Sequence, residues 1–280
     1  MNDVKDSGSL LPPLGERTPR LYDSLVDQLR TFIKDAGFTD VVVGISGGID
    51  SAVVAALAVD AFGSGRMHGI HMPSRYTSPQ STIDARELAE NLGIEYFDIP
   101  IDSILAEYGV MLDSPMYGLD ATRTMQNLQA RIRANLLMAF SNQFDWAVLA
   151  CGNRSEAMVG YMTLFGDTVG AFAPLAPVYK GWVYELAQYR NAQGMVVPDS
   201  ILGKEPSAEL AIGQTDEADL GSYEVLDGIL YRIDQGQGYK WLVENGFESE
   251  SVTRICAQIE KASFKERFSA PGASLPWRVW

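Results

Sequence analysis

Val41-Val42-Val43-Gly44-Ile45-Ser46-Gly47-Gly48-Ile49-Asp50-Ser51 runs straight into Ala52-Val53-Val54-Ala55-Ala56-Leu57-Ala58-Val59, and this junction decides the fold. The β-branched apolar run predicts a parallel strand buried on both faces. The Ala-rich stretch after Ser51 predicts a helix lying close on the sheet. Between them, Gly47 and Gly48 permit a backbone with φ > 0 and a close approach by a ligand. The helix start adds unpaired N–H donors and a partial positive charge. Together these features predict an anion site sized for phosphate. Asp50 adds a hard oxygen ligand suited to Mg²⁺. A plain turn capped by Asp50 or Ser51 would not require Ser-Gly-Gly-x-Asp-Ser in a row.

The chain has no Gly-Lys-Ser/Thr and no Gly-x-Gly-x-x-Gly after the strand, which excludes a Walker loop and a dinucleotide fingerprint. Ser46 to Ser51 instead resembles the pyrophosphate-binding loop of ATP pyrophosphatases, which implies adenylation of a substrate oxygen. With 280 residues the chain fits one large domain or one domain with an appendage. A net charge of −14 argues against nucleic acid as the main partner. Cys151 and Cys256 are too few for a disulfide framework, so a reducing, cytoplasmic setting is expected. Met1 to Arg20 has no apolar core for a signal peptide, and no apolar run is long enough to span a membrane.

Taken in order, residues 1–19 read as a flexible tail, rich in Pro and Gly from Ser7 to Pro19. Helices are predicted at Leu21–Ala36, after Ser51, at Ser81–Leu92, Ile101–Leu112, Gln126–Phe144 and Tyr179–Arg190. Strands are predicted at Met67–Met72, Ile94–Ile99 and Trp146–Ala150. The two histidines of Met67–Met72 read as strand residues, since no third ligand lies nearby. The alternation predicts an α/β fold, a doubly wound parallel sheet of Rossmann-like type. Ligands bind such sheets beyond the carboxyl ends of the strands. Ser46–Asp50, Met72–Arg75 and Cys151–Glu156 all fall there. Gly203–Gly221 reads as a long polar loop. Tyr223–Ile233 and Ser251–Phe264 predict a small helical C-terminal portion, about 222–265, within a single domain over 20–280.

Six segments then carry a closer likeness. They are Met72-Pro73-Ser74-Arg75-Tyr76-Thr77-Ser78, Asn127-Leu128-Gln129-Ala130-Arg131-Ile132-Arg133, Gly152-Asn153-Arg154-Ser155-Glu156, Val159 to Asp167, Lys204-Glu205-Pro206-Ser207-Ala208-Glu209-Leu210 and Tyr223-Glu224-Val225-Leu226-Asp227. In this order around a pyrophosphate loop, the chain resembles the NAD synthetase family from about Leu21 to Lys265. The likeness is greatest to the synthetase module of its glutamine-dependent members, and Leu11-Pro12-Pro13-Leu14 resembles the linker before that module.

The resemblance implies an ATP-dependent ligase. Deamido-NAD attacks the α-phosphate of ATP to give an adenylate, and ammonia then displaces AMP. It implies ATP contacts at Gly44, Ile45, Ser46, Gly47, Gly48, Ile49, Asp50, Ser51, Cys151, Lys180 and Ser207. It implies Mg²⁺ on Asp50 and Glu156, and deamido-NAD contacts at Asn127, Arg131, Glu156, Tyr161, Leu164 and Lys265. Asp50, Lys180 and Asp167 would be catalytic, with Asp167 holding or deprotonating ammonium. Read without the resemblance, Asp167 fits a turn or cap equally well. Cys151 stands where the family usually has Thr, and a thiol is a weak hydrogen-bond partner. Leu164, Ala171 and Phe264 depart from the short ammonia-dependent enzymes and agree with the glutamine-dependent group.

Both cysteines lie inside the module, with no residues left for an amidase fold, so free ammonia is the expected donor and a separate glutaminase the alternative. A homodimer is implied by resemblance only. Rival readings are another adenylating amidotransferase, GMP synthetase-like or tRNA-thiolating, and a degenerate nucleotide-binding subunit. Loops 73–79 and 203–221 are expected to act as lids that keep water from the adenylate.

Overall fold

The computed structural model describes residues 10–277. Its centre is a four-stranded parallel sheet of β1 (Val41–Gly44), β2 (Met67–His71), β3 (Glu95–Asp98) and β4 (Ala147–Leu149), ordered β3-β2-β1-β4. Val41 pairs with Met67 on one side and Ala147 on the other, so β1 is central and both of its neighbours are parallel to it. The chain winds outward from β1 through β2 to β3, then returns to place β4 on the opposite flank. The switch point therefore lies between β1 and β4, at their carboxyl ends.

Side-chain alternation along β1 explains the all-apolar run. Val41 and Val43 join one core with Ala147 and Leu149, while Val42 joins the other with Ile70 and Val148. The first core takes in α1 (Thr18–Asp35), α2 (Ile49–Phe62), α3 (Pro79–Leu92) and α7 (Lys180–Asn191). The second is covered by α4 (Asp102–Asp113) and α5 (Thr122–Phe144). Helices on both faces make the sheet doubly wound, as expected. Small Ala side chains at 52, 55, 56 and 58 let α2 bury nearly its whole first three turns.

The expected tail is corrected over its described part; Met1–Ser9 lie outside the described residues. Leu11 and Leu14 are buried in the first core. Trp182, itself fully buried, donates its indole N–H to Pro12 O at 2.8 Å. Glu185 accepts from Leu14 N at 2.9 Å. A buried indole needs an acceptor, and the Pro-rich stretch supplies one because Pro12 carries a free carbonyl.

Four short helices fall where no periodicity was legible. They are α6 (Arg154–Val159), α8 (Asp199–Gly203), α9 (Asp216–Leu220) and α11 (Tyr239–Glu244). α9 corrects the expectation of a structureless 203–221. Residues 171–173 also run beside β4 through a parallel bridge, Leu149 to Phe172. The C-terminal helices α10 (Tyr223–Asp234) and α12 (Ser249–Ala262) share the first core through Leu226, Ile229, Leu230, Val252 and Ile255. The histidines are structural, as expected. His68 stacks on Trp146 at 3.6 Å between ring centroids, and His71 bonds Ile45 O at 2.8 Å.

Replacing Leu14 by Ala should lower unfolding free energy by about 2–4 kcal/mol in urea. A loose tail would instead give a change within about 0.5 kcal/mol.

Candidate active site

The loop after β1 takes its shape from its own side chains. Ser51 Oγ accepts from Ser46 N at 3.2 Å and donates to Gly48 O at 3.0 Å. Ser46 Oγ accepts from Gly48 N at 3.1 Å. Gly47 has φ +79°, and a Cβ there would lie 2.2 Å from Ser81 O. Only glycine fits. Gly44 and Ile45 carry the strand into this turn, with Ile45 buried. The N–H groups of Ile49, Asp50 and Ser51 open α2, where no intrahelical acceptor exists. The α2 dipole adds positive potential at the same point.

Lys180 begins α7 and is 3% exposed. Its ammonium bonds Asp50 Oδ2 and lies 3.3 Å from Glu156 Oε1. Burial alone would lower this lysine, but Asp50 and Glu156 outweigh burial and raise it, so it stays charged. Burial pushes Glu156 upward, opposed by Lys180 and reinforced by Asp50. Asn153 positions both acids. Its Nδ2 donates to Asp50 Oδ1 at 2.8 Å, and its Oδ1 accepts from Glu156 N at 3.0 Å, capping α6. Beneath them, Asp227 of α10 accepts from Ser155 Oγ and from Gly181 N at 2.8 Å, and burial pushes it up to about 6. Cys151 lies between loop and α6, and burial, then Asp50 and Glu156, push its thiol upward. That environment suppresses thiolate chemistry.

Lys204, whose own role the sequence did not single out, clamps the phosphate loop. Its Nζ donates to Gly47 O at 2.6 Å and to Ser81 Oγ at 2.9 Å, and pairs with fully buried Asp84 at 3.0 Å. Neighbouring Ser207 instead donates to Gln214 O at 2.6 Å, so Lys204 is the residue of that motif that touches the loop backbone. Glu209 joins the two expected lids, accepting from Ser78 N at 3.1 Å and Ser81 Oγ at 2.7 Å. Both segments are docked on the site. Their main long-range fasteners are single polar side chains, a signal that no periodicity carries.

A second group lies along α5. Asn127 accepts from Thr163 Oγ1 at 2.9 Å, and Arg131 Nε donates to Leu164 O at 3.1 Å. Arg133 reaches Met72 O at 2.9 Å with no carboxylate partner among the described residues, and burial pushes it down to about 10. Lys265 donates to Gly160 O and Met162 O, each at 2.7 Å, and Tyr161 donates to Asp219 at 2.9 Å. Asp167 accepts from Thr163 N at 2.8 Å. Burial of its inner side pushes Asp167 up to about 6, opposed by the Thr163 N–H, by Lys265 and by the water that reaches its exposed face. A separate hollow of about 910 Å³ runs along α1 past Asp23, Asp27 and Phe32. It includes no loop residue, and its acidic lining suits phosphate poorly.

A doubly wound parallel sheet with a Ser-Gly-Gly loop at its switch point defines an α/β protein of the pyrophosphate-loop class. The family model for NAD synthase matches residues 21–269. A glutamine-dependent NAD(+) synthetase of Thermotoga maritima is 42% identical over 271 residues, which cover 96% of this chain and 47% of that protein. The structure of NMN synthetase from Francisella tularensis is similar at 31% identity and a TM-score of 0.77, over 89% of this chain and 95% of that one. NH3-dependent NAD synthetase from Campylobacter jejuni is similar at 26% identity and a TM-score of 0.72, over 89% and 96%. The chain belongs to the NAD synthase family. It spans about half the length of the curated relatives it matches. No helix among the described residues is long and apolar enough to cross a membrane.

Lys180→Met leaves Asp50 and Glu156 buried without their cation, which should cost about 3–5 kcal/mol of stability near pH 8. Without the lysine that opposes it, the burial that already pushes Glu156 upward would hold its carboxyl higher folded than unfolded. The penalty at Glu156 is therefore greatest at high pH and lifts as pH falls through its raised folded value. Urea unfolding near pH 8 and pH 5 checks this; an equal loss at both would contradict it.

Proposed function

We propose that the chain amidates deamido-NAD with ammonia at the expense of ATP, which yields NAD, AMP and pyrophosphate. The observation that carries this reading is Lys180 bridging Asp50 and Glu156 at the rim of the Ser46–Ser51 loop. A carboxylate is a poor acceptor for ammonia until one oxygen becomes part of a good leaving group. Adenylation makes that change, and it requires mainly positioning and neutralised phosphate charge.

In this reading Ser46 to Ser51 cradle the pyrophosphate, with Gly44 and Ile45 setting the loop's approach and Cys151 flanking it. Lys204 keeps the cradle closed from behind. Ser207 takes part through the folding of its own segment. Lys180 meets the α-phosphate, which draws its ammonium away from Asp50 and Glu156. These two acids fit Mg²⁺, because they are hard oxygen donors already facing one cation, and this ion commonly takes one or two carboxylates together with phosphate oxygens. No group of three or more His, Cys, Asp or Glu among the described residues is arranged to hold a metal, so phosphate and water would complete the shell. When bound, the ion would neutralise charge on the phosphates. Asn127, Arg131, Tyr161, Leu164 and Lys265 line the surface offered to the dinucleotide, with Asp167 beside Lys265. The cationic Arg131, Arg133 and Lys265 give a polyanionic substrate its local attraction on an otherwise acidic chain. A homodimer and a cytoplasmic setting belong to the same proposal.

NAD formation from ATP, Mg²⁺ and deamido-NAD, read by a coupled dehydrogenase, tests it. Ammonium should support turnover and glutamine should not, unless a separate glutaminase is added. Glu156→Gln should lower kcat by about 10²-fold or more. Nicotinate mononucleotide is the alternative acceptor raised by the Francisella likeness. Faster amidation of the mononucleotide than of deamido-NAD would overturn the substrate assignment, and equal turnover with glutamine alone would overturn the donor.

A further inference from the structure

Helix α10 carries two carboxylates to which the proposed reaction gives no task. Asp227 and Asp234 lie two turns apart on it, so they share one face at a separation of roughly 10 Å. Asp227, 1% exposed, accepts from Ser155 Oγ and from Gly181 N at 2.8 Å. Asp234 takes a fork from Arg154, 2.8 Å from Nη2 and 3.1 Å from Nε, and accepts from the Tyr179 hydroxyl. Each carboxylate therefore grips one residue at the start of α6 and one at the start of α7.

The residues gripped are the neighbours of a charged pair. Arg154 and Ser155 immediately precede Glu156, while Tyr179 and Gly181 stand on either side of Lys180. The two helix starts also meet directly, since Lys180 N donates to Ser155 Oγ and Arg154 N to Val178 O, each at 2.9 Å. Stability alone does not account for this knot. Asp227 is held by a hydroxyl and an amide, and apolar side chains serve a buried helix contact at least as well as a carboxylate does. The ion pairs of Lys180 are not a sufficient restraint either. In the proposed reaction its ammonium leaves Asp50 and Glu156 for phosphate, and at that moment the cluster no longer ties α6 to α7.

We infer that Asp227 and Asp234 are positioning residues: α10 braces the starts of α6 and α7, so that Lys180 and Glu156 keep their spacing while the lysine changes partners. This rests on the ligase reading and adds two residues to it. Two points of attachment fix both the distance between the helix starts and their tilt, which a single contact leaves free. The Arg154 fork on Asp234 is directional, so that end also sets the orientation of the first turn of α6. Both carboxylates act through the backbone that carries Lys180 and Glu156. A displacement of about 1 Å there is enough to slow transfer by about 10²-fold.

Exchange of labelled pyrophosphate into ATP, with deamido-NAD present and ammonia absent, reads adenylation alone. In the full chain, Asp234→Asn should lower the kcat of exchange about ten- to a hundredfold, with the KM for ATP kept within about threefold. Tyr179→Phe removes one hydroxyl from the same carboxylate and leaves the Arg154 fork, so it should give a smaller loss of the same kind. A contact that serves stability only would lower the urea midpoint of both variants and leave kcat per folded molecule unchanged. That result overturns the brace, and so does a loss confined to the KM for ATP; either leaves the ligase reading intact. Absence of exchange in the unmodified protein overturns the ligase reading and the brace with it.

Discussion

A lysine ammonium cannot stay buried unless carboxylates meet it, and the constraint at Lys180 organises the centre of this molecule. Lys180 begins α7, Asp50 begins α2, and Glu156 lies in the first turn of α6. One ion cluster therefore fixes the starts of three helices at the carboxyl end of the sheet. Asn153 and Asp227 complete it by bonding the backbone and side chains that carry these charges. The helices cannot slide without separating buried charges. The phosphate loop inherits that rigidity, because Asp50 belongs to both.

The same cluster explains how an acidic chain can handle polyanions. The net charge of −14 repels them globally. Locally, however, the α2 dipole, Lys180 and Lys204 face one loop, while Arg131 and Arg133 lie on the adjoining α5. Two carboxylates hold one ammonium there; in the proposed reaction an incoming phosphate and its metal would take over both halves of that arrangement. The chain spans about half the length of its curated relatives.

Much of the fold was legible because a parallel sheet writes itself into sequence as apolar runs separated by helical periods. Val41–Val43 and the alanines of α2 are of that kind. Leu11 and Leu14 were not legible: Pro-rich composition resembles a linker, and their burial depends on Trp182 needing an acceptor 170 residues away. The helix at 154–159 is too short to show a period, and the Asn153–Glu156 capping box that starts it appears only in the structure. At the site, motif and resemblance singled out Asp50, Glu156 and Lys180, which the structure brings together. Lys204 escaped because it acts through long-range contacts made by a loop. Ser207 shows the converse, a residue noted by motif whose hydroxyl serves the loop that contains it.

The central claim is that the loop and its ion cluster transfer AMP to a pyridine-nucleotide carboxylate. Deamido-NAD labelled with ¹⁸O in that carboxylate tests it most directly, with the products of one turnover weighed by mass spectrometry. The account predicts one labelled oxygen in the phosphate of AMP and none in pyrophosphate. Label in pyrophosphate or orthophosphate, with AMP unlabelled, would contradict it.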